Sequence, residues 1–452
     1  MELFGTAGIR GPVTRVTPEL ALAVGRAVGM DAIEGSGTVV LGRDGRVTGT
    51  TLAAAVEAGV TSAGADVRRA GQLPTPALAY ASRGRHGIML TASHNPPADN
   101  GIKVFADGRE YDRDSERRIE ERVSDATDAA EWDAWGRTER LSVLPAYREA
   151  VTAYAREQGT HPDLTVAVDC GNGMASLATP QVLTALGADV VTLNANVDGH
   201  FSARESKPTP ESLADLRRFV ADGHAAFGIG HDGDADRIVI VDGDGEVVHE
   251  DTVLAIVAEH AVRESDADDP VVVTTPNASG RIDERVRAAG GRVERVRLGA
   301  LHEGIATALE EGTAGTDVVF AAEPWKHVHP EFGGWIDAVV SAAVFTRLVA
   351  ESGLDALREP VQERPYRKVS VDCPDDEKDD AMAQLETTLP EAFPEAAVET
   401  EYGIRLELPD GSWTLVRPSG TEPYVRVYAE SDDVDELVAT VVEGVESAIE
   451  SP

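Results

Sequence analysis

The sequence of 452 residues has little lysine, little cysteine and no long apolar run. Five of its 41 basic residues are lysines, 79 residues are acidic, and the formal net charge is −38. The acidic residues are spread along the whole chain, and a field of this sign repels nucleic acid and anionic lipid. We therefore expect neither nucleic acid nor a membrane as a partner. Diffuse acid with scarce lysine further predicts adaptation to a salt-rich cytoplasm.

The two cysteines, Cys170 and Cys373, lie far apart and form neither a metal-binding spacing nor a disulfide framework. No apolar run approaches the ~20 residues of a membrane span, and the N-terminus lacks the features of a signal peptide. A phosphate loop of the Gly-Lys-Ser/Thr type is also missing, which disfavours nucleotide hydrolysis of that kind. These features predict a cytoplasmic protein of several domains.

A short apolar strand, a Gly-rich turn and a helical segment recur at residues 39–46, 166–173 and 271–277. This order predicts parallel α/β units, and its recurrence predicts three related domains. We expect a charged helical linker over residues 112–154 and a smaller α+β domain after residues 359–366. The predicted domains are residues 1–150, 151–250, 251–362 and 363–452.

Ser93 stands at a small-residue corner where the apolar stretch 87–90 meets the sequence TASHNPP at residues 91–97. The two prolines prevent a helix from continuing, because proline disrupts helical backbone. The pattern predicts a serine on a stiff loop at a strand end. Such turns are common, so the loop is either an ordinary turn or the seat of a reactive hydroxyl.

Three aspartates alternate in the sequence DGDADR at residues 232–237, between two apolar stretches. On extended backbone they would point the same way, and three close carboxylates repel one another unless a cation lies among them. Carboxylate oxygens suit Mg²⁺, whereas an EF-hand would need glycine where Arg237 stands and glutamate where Gly243 stands. A solvated acidic turn is the alternative to this predicted metal site.

The sequence RPSGTEP at residues 417–423 lies between two predicted strands. Its small residues offer backbone N–H groups and hydroxyls, and Arg417 and Arg426 offer guanidinium groups. Such arrangements bind anions, although an ordinary Ser-Gly turn would have the same sequence.

These three loops, with FGTAGIRG at residues 4–11, resemble the α-D-phosphohexomutase superfamily, which includes phosphoglucomutases, phosphomannomutases and phosphoglucosamine mutases. The resemblance extends from Leu3 to about Glu430 and is archaeal-like. It implies three related α/β domains and a smaller C-terminal α+β domain around a central cleft. It also implies an intramolecular phosphotransferase that interconverts the 1-phosphate and 6-phosphate of a sugar through a phosphoserine enzyme and a sugar bisphosphate.

The same resemblance implies roles for individual residues. Ser93 would carry the phosphoryl group and, with Asp232, Asp234 and Asp236, hold one Mg²⁺. Lys103 is the expected acid/base, Arg10 and Arg237 would add positive charge, and His94 would orient the serine loop. The residues expected to bind the sugar phosphate are Glu323, His327, Arg417, Ser419, Gly420, Thr421 and Arg426.

The sequence departs from the family in the sugar-reading loop, which is AEPWKH at residues 322–327 instead of the usual Gly-Glu-x-Ser-Gly-His. Trp325 replaces serine and is either a platform for the sugar or a buried wedge. Lys326 replaces glycine and adds charge. Glucosamine, glucose or mannose phosphate is the expected substrate. A pentose phosphate, or a sugar-phosphate-binding protein without turnover, is the alternative.

Overall fold

The chain, in a computed structural model, divides into two compact units. One unit comprises Met1–Glu250 with Phe320–Leu357, and the other comprises Asp251–Val319 with Arg358–Pro452. The structure describes residues 3–5, 8–125, 127–157, 163–419 and 422–450. Among these residues, no helix is both long enough and apolar enough to cross a membrane.

The first sheet places the serine loop. Its strands follow the order β1-β5-β4-β2-β3-β7, and β6 pairs with β5. β2 runs parallel to β3 and β4, whereas β5 runs antiparallel to β4. Parallel central strands are covered on both faces and are therefore continuously apolar, as in the buried stretch 39–41. The elements are β1 (Ile9–Pro12), α1 (Pro18–Ile33), β2 (Thr38–Arg43), α2 (Gly49–Ser62), β3 (Asp66–Gln72), α3 (Thr75–Ala81), β4 (His86–Leu90), β5 (Asp99–Ala106), β6 (Arg109–Glu110), α4 (Arg113–Ser124) and β7 (Thr138–Arg140).

The region 112–154 is only partly the helical linker that we predicted. It contains α4 and the start of α5 (Leu144–Glu157), but also β7, which pairs in parallel with β3. No apolar pattern indicates this strand, because its three residues are polar and lie at the sheet edge, where they are largely exposed.

The second sheet places the aspartate loop. Its order is β11-β10-β8-β9; β8 runs parallel to β9 and β10, and β11 returns antiparallel to β10. The turn after β8 packs directly on the aspartate loop, because a Cβ atom added to Gly173 would lie 2.6 Å from the main-chain oxygen of Gly233. Residues 170–176 therefore form a packing turn against the aspartate loop. The elements are β8 (Thr165–Asp169), α6 (Thr179–Leu186), β9 (Asp189–Leu193), α7 (Ala214–Ala221), β10 (Phe227–His231) and β11 (Ile238–Val241).

The third α/β segment contributes to both units. The parallel pair β12 and β13 lies in the second unit with α8 to α10. β14 continues from the second unit into the first, where it forms a hairpin with β15 that is followed by α11. The elements are α8 (Glu250–Glu264), β12 (Asp269–Thr274), α9 (Gly280–Ala288), β13 (Arg292–Arg295), α10 (Leu301–Glu311), β14 (Thr316–Glu323), β15 (Lys326–Val328), α11 (Ala338–Ser352) and α12 (Leu354–Arg358).

The C-terminal segment is an antiparallel sheet of order β16-β20-β19-β18-β17 with α13 and α14 packed together beside it. Strands and helices are both present, as expected for an α+β domain. β17 is additional; it has only three residues, all exposed, so it is too short to show a strand pattern in the sequence. Three α/β domains followed by a smaller α+β domain are thus confirmed. The elements are β16 (Tyr366–Asp372), α13 (Lys378–Ala392), β17 (Ala397–Glu399), β18 (Ile404–Glu407), β19 (Trp413–Pro418), β20 (Tyr424–Glu430) and α14 (Val434–Glu450).

Candidate active site

Ser93 lies three residues beyond the end of β4 and is completely buried. Its φ angle of +50° is in the left-handed region, which costs a non-glycine residue on the order of 1–3 kcal/mol and persists only where the surroundings enforce it. The enforcing contact is local, because Ser93 N donates to Thr91 Oγ1 at 2.9 Å, and that hydroxyl donates to Asp44 Oδ2 at 2.8 Å. The serine is therefore held in one orientation.

Arg46 fixes the same loop from the neighbouring strand end, a role that sequence reasoning missed. Its guanidinium donates to the main-chain oxygens of Ser93 (3.0 Å), Asn95 (2.7 Å) and Asp99 (2.9 Å). It also pairs with Asp44 at 3.0 Å, and both charged groups are fully buried. A signal existed, because β2 and β4 are adjacent and parallel, so the loops that follow them meet at one sheet edge.

The aspartate loop joins β10 to β11 and brings its three carboxylates together. Ligand atoms of Asp232, Asp234 and Asp236 lie within 4.8 Å of one another, and all three residues are buried. Our explanation from extended backbone was wrong, because residues 232–236 form a turn in which Ala235 has a φ of +59°. The neighbouring acidic turn 242–245, by contrast, is a simple hairpin connection in which Asp242 Oδ1 accepts from the backbone N–H groups of Asp244 and Glu246.

Ser93 and the aspartates form one cluster. Ser93 Oγ donates to Asp232 Oδ2 at 2.6 Å and lies 3.4 Å from Asp236 Oδ1. Thr75 Oγ1 donates to Asp234 Oδ2 at 2.6 Å, which fixes the carboxylate that Ser93 does not contact. The structure thus brings together the hydroxyl and the three carboxylates that the sequence singled out.

The carboxylate cluster suits a divalent cation. The buried Asp234 Oδ1 has no hydrogen-bond partner among the described residues, and an orphaned buried carboxylate oxygen is costly unless a cation compensates it. Burial, followed by the charges of Asp236 and Asp234, raises the pKa of Asp232 well above its usual range. A hard cation with oxygen ligands would relieve both penalties, and the hydroxyl of Ser93 is placed to join the set.

Three basic residues surround the cluster. Lys103 Nζ, on β5, lies 2.8 Å from Asp236 Oδ2 and 3.7 Å from Asp234 Oδ2. Burial alone would lower the pKa of Lys103, but these carboxylates and Glu110 outweigh it and raise the pKa. Arg237 Nε lies 4.0 Å from Asp232 Oδ2 and 3.9 Å from Asp236 Oδ1. Arg10, on β1, has buried Nε and Nη2 atoms without a hydrogen-bond partner among the described residues.

His94 lies against the serine, with Nδ1 3.3 Å from Ser93 Oγ. Burial, assisted by the guanidinium charges of Arg237 and Arg10, lowers the pKa of His94 to about 3. The imidazole is therefore neutral at pH 7. A neutral ring can position the hydroxyl, and the orienting role of His94 stays a prediction.

The sugar-reading segment forms the hairpin of β14 and β15, in which Glu323 pairs with Lys326 and Ala322 with His327. Lys326 Nζ lies 3.6 Å from Glu323 Oε2. His327 is buried, and its Nδ1 lies 3.1 Å from Ser341 Oγ on α11. Its ring therefore supports the hairpin from within the fold.

Trp325, expected to be either a platform for the sugar or a buried wedge, is only partly buried. It packs against an apolar cluster of the second sheet, and its main-chain oxygen accepts from Ile238 N at 3.0 Å. This contact ties the hairpin to the first residue of β11, directly after the aspartate loop. The cluster consists of Ala167, Leu213, Leu216, Val220, Val239 and Val241.

The predicted phosphate loop belongs to the second unit. Arg417 on β19 is paired in register with Arg426 on β20, and the Nε atoms of both are buried without a partner among the described residues. Like charges opposite each other on a sheet are destabilising, which an anion between them would relieve. Lys378, not anticipated from sequence, holds the loop by donating to the main-chain oxygens of Ser419 (2.8 Å) and Glu422 (2.6 Å). Gly420 and Thr421 lie outside the described residues.

Four family models match the chain in order. Phosphoglucomutase/phosphomannomutase alpha/beta/alpha domains I, II and III match residues 1–130, 145–245 and 249–366, and the C-terminal domain matches residues 369–447. The chain is 43% identical to the phosphopentomutase of Thermococcus kodakarensis over 443 residues. It is 41% identical to a probable phosphoglucosamine mutase of Methanopyrus kandleri over 443 residues. Each alignment covers 95% of this chain and 94% of the relative.

Solved structures share the whole fold. A phosphoglucomutase/phosphomannomutase family protein from Burkholderia thailandensis superposes with a TM-score of 0.84 at 25% identity, covering 99% of this chain and 97% of that chain. An N-acetylphosphoglucosamine mutase from Aspergillus fumigatus, solved with GlcNAc-6P and magnesium, gives a TM-score of 0.63 at 16% identity. That alignment covers 99% of this chain and 96% of the other.

Proposed function

Because the chain belongs to the phosphoglucomutase/phosphomannomutase family and is a mutase of the intramolecular phosphotransferase class, we propose that Ser93 is its phosphoryl carrier. One observation carries this assignment: the Ser93 hydroxyl is held 2.6 Å from Asp232 within the buried aspartate cluster. A hydroxyl that is fixed against three carboxylates suits a metal-assisted phosphoryl transfer. The same group on an ordinary turn would not need such an environment.

In the proposed reaction, a free hydroxyl of a bound sugar monophosphate attacks the phosphorus carried by Ser93. The bond from phosphorus to Ser93 Oγ breaks, and that oxygen keeps the electron pair. The departing oxygen takes a proton from the ammonium of Lys103, and the amine then receives the proton of the attacking hydroxyl. The resulting sugar bisphosphate turns over and returns its other phosphate to Ser93 by the same steps in reverse.

The charged groups divide the electrostatic work. Asp232, Asp234 and Asp236 would hold one Mg²⁺, which withdraws charge from a transferring phosphoryl group when it is bound. Arg10 and Arg237 supply positive charge for the phosphoryl oxygens. His94, kept neutral by burial, orients the Ser93 side chain.

We assign substrate recognition to two further segments. Glu323 accepts hydrogen bonds from sugar hydroxyls, and His327 positions the hairpin behind it. The phosphate that is not being transferred binds at Arg417, Arg426 and Ser419, together with Gly420 and Thr421. Domain boundaries near residues 150, 250 and 362, a cytoplasmic location and the absence of nucleic-acid and membrane partners complete the proposal.

A coupled assay tests this function. The substrates are the 1-phosphates of glucose, mannose, glucosamine and ribose, each assayed with the protein in Mg²⁺ and molar KCl. We expect turnover of at least one of them and none by Ser93→Ala. If the wild-type protein binds a sugar phosphate but turns over none of them, it is a sugar-phosphate-binding protein and the mutase proposal fails.

A further inference from the structure

The hairpin turn that carries Lys326 has an unusual residue at its second position. The turn consists of Pro324 and Trp325, and Trp325 has a φ of +70°. Proline followed by a positive φ is the pattern of a type II turn, whose second position favours glycine. Tryptophan there carries a backbone penalty, which the packing of its indole on the apolar cluster of the second sheet offsets.

The contacts of Trp325 fix the backbone position of Lys326. The hydrogen bond from Ile238 N to Trp325 O ties the turn to β11, and the pairing of Ala322 with His327 fixes the register of the hairpin. Lys326 is therefore attached to a rigid backbone on both sides. Its long side chain would otherwise be free to swing into solvent.

The ammonium of Lys326 lies beside the carboxylate of Glu323, to which we assign the sugar hydroxyls. Its Nζ is 3.6 Å from Glu323 Oε2, and the exposed fractions of the two side chains are 15% and 11%. A pair removed from water in this way interacts more strongly than a surface pair.

The ion pair with Lys326 changes which sugar groups the carboxylate of Glu323 can bind. Alone, Glu323 would attract the protonated amine of an amino sugar. With Lys326 beside it, the carboxylate is already neutralised, and a second ammonium group would meet a like charge in a partly desolvated site. A sugar hydroxyl carries no charge and can still donate to Glu323 or accept from the ammonium of Lys326.

We propose that Lys326 makes this hairpin selective for monophosphates of hexoses or pentoses whose ring carries no charged group. It would select against monophosphates of sugars with a protonated amine. The inference rests on the proposed function, because it assigns the sugar hydroxyls to Glu323. It runs against glucosamine phosphate, which is one of the substrates expected from the sequence.

The test compares kcat/KM for glucosamine 1-phosphate, glucose 1-phosphate and ribose 1-phosphate. In the wild-type protein we expect glucosamine 1-phosphate to be poorer than the better neutral substrate by at least about tenfold. Lys326→Met, which keeps the length of the side chain without its charge, should narrow that ratio by about tenfold. Lys326→Arg, the matched control, should preserve it. A wild-type preference for glucosamine 1-phosphate, or a Lys326→Met ratio equal to that of the wild type, overturns the proposal.

A second arm needs no variant. The amine of glucosamine phosphate loses its proton near pH 8, by analogy with other amines beside polar groups. The ratio of glucosamine to glucose turnover by the wild-type protein should therefore rise between pH 7 and pH 9. A flat ratio contradicts a role for like-charge repulsion. If none of these three sugar phosphates is turned over, and mannose 1-phosphate is not turned over either, the mutase function itself is contradicted, so the two failures are distinguishable.

Discussion

The guanidinium of Arg46 donates a 3.0 Å hydrogen bond to the main-chain oxygen of Ser93, and both side chains are buried. Further bonds to Asn95 and Asp99 make this one side chain the principal brace of the serine loop. Each buried carbonyl left without its donor would cost about 1–3 kcal/mol. The position of the Ser93 hydroxyl thus depends on a guanidinium that holds the loop by its main-chain oxygens.

We predict that Arg46→Met lowers kcat about hundredfold, because a displacement of about 1 Å is enough for such a loss. It should also lower the melting temperature, since Asp44 loses its buried counter-charge. Arg46→Lys keeps the charge but offers fewer donors in a different geometry, so its kcat should lie between that of the wild-type protein and that of Arg46→Met. Steady-state kinetics and thermal melting measure both effects. An unchanged kcat in Arg46→Met would show that the brace is irrelevant to catalysis.

Asp234→Asn should weaken the binding of Mg²⁺ at least about tenfold. The variant loses one ligand charge, and the buried oxygen without a hydrogen-bond partner becomes part of a neutral amide. The measurement is a Mg²⁺ titration of activity, together with calorimetric titration of the free protein. Asp244→Asn, in the exposed part of the neighbouring acidic turn, is the control with the same change in charge. Equal Mg²⁺ affinity in both variants, or full activity in EDTA, would refute the metal site.

Asp337→Ala should destabilise the first unit by several kcal/mol. The carboxylate caps α11 through the N–H groups of Val339 and Val340 and accepts from Tyr147 Oη and Trp335 Nε1. Loss of a cap costs about 1 kcal/mol, and each stranded buried donor adds about 1–3 kcal/mol. Denaturant unfolding measures the difference. Asp337→Asn retains an acceptor and should lose much less; equal losses would contradict the capping account.

The same residue gives a dependence of stability on pH. Burial raises the pKa of Asp337 to about 6, against an ordinary value of 3.8. The folded protein therefore keeps the proton between about pH 4 and pH 6, whereas the unfolded chain has lost it. Relative to Asp337→Asn, the wild-type free energy of unfolding should fall by up to about 3 kcal/mol as pH rises through this range. A constant or rising difference would contradict this assignment.

The acidic surface predicts a requirement for salt. With a net charge of −38, repulsion between the acidic residues opposes the compact state. The Debye length is about 3 Å at 1 M salt and about 30 Å at 0.01 M, so this repulsion is strongly screened only at high salt. We expect the melting temperature to fall markedly when KCl is diluted from molar to 10 mM concentration. Sucrose, which does not screen charge, should not replace KCl. Indifference to salt would contradict the proposed adaptation.

Most of the architecture could be predicted from sequence because its signals are local. The apolar stretches 39–41, 166–168 and 271–273 became buried parallel strands, β2, β8 and β12. Strands without an apolar pattern could not be found this way. β7 is polar, β17 is only three residues long and exposed throughout, and only their partners in the sheet define them.

The residues of the candidate site could be predicted from sequence, but the residues that hold its loops in place could not. Ser93 and the aspartates stood out because such groups are unusual together. Arg46 and Trp325 act through contacts 47 or more residues away in the chain, with the Ser93 loop and with the cluster around Val239. The turn of the aspartate loop was also hidden, since alternation of carboxylates is compatible with more than one backbone path.

The central claim is that Ser93 carries the phosphoryl group. The most direct measurement is the intact mass, under denaturing conditions, of the wild-type protein and of Ser93→Ala after incubation with a sugar 1,6-bisphosphate and Mg²⁺. The account predicts one covalent phosphoryl group on the wild-type chain, lost on addition of a sugar monophosphate that the enzyme turns over, and none on Ser93→Ala. An unmodified wild-type chain during turnover, or an equal adduct on Ser93→Ala, would contradict it.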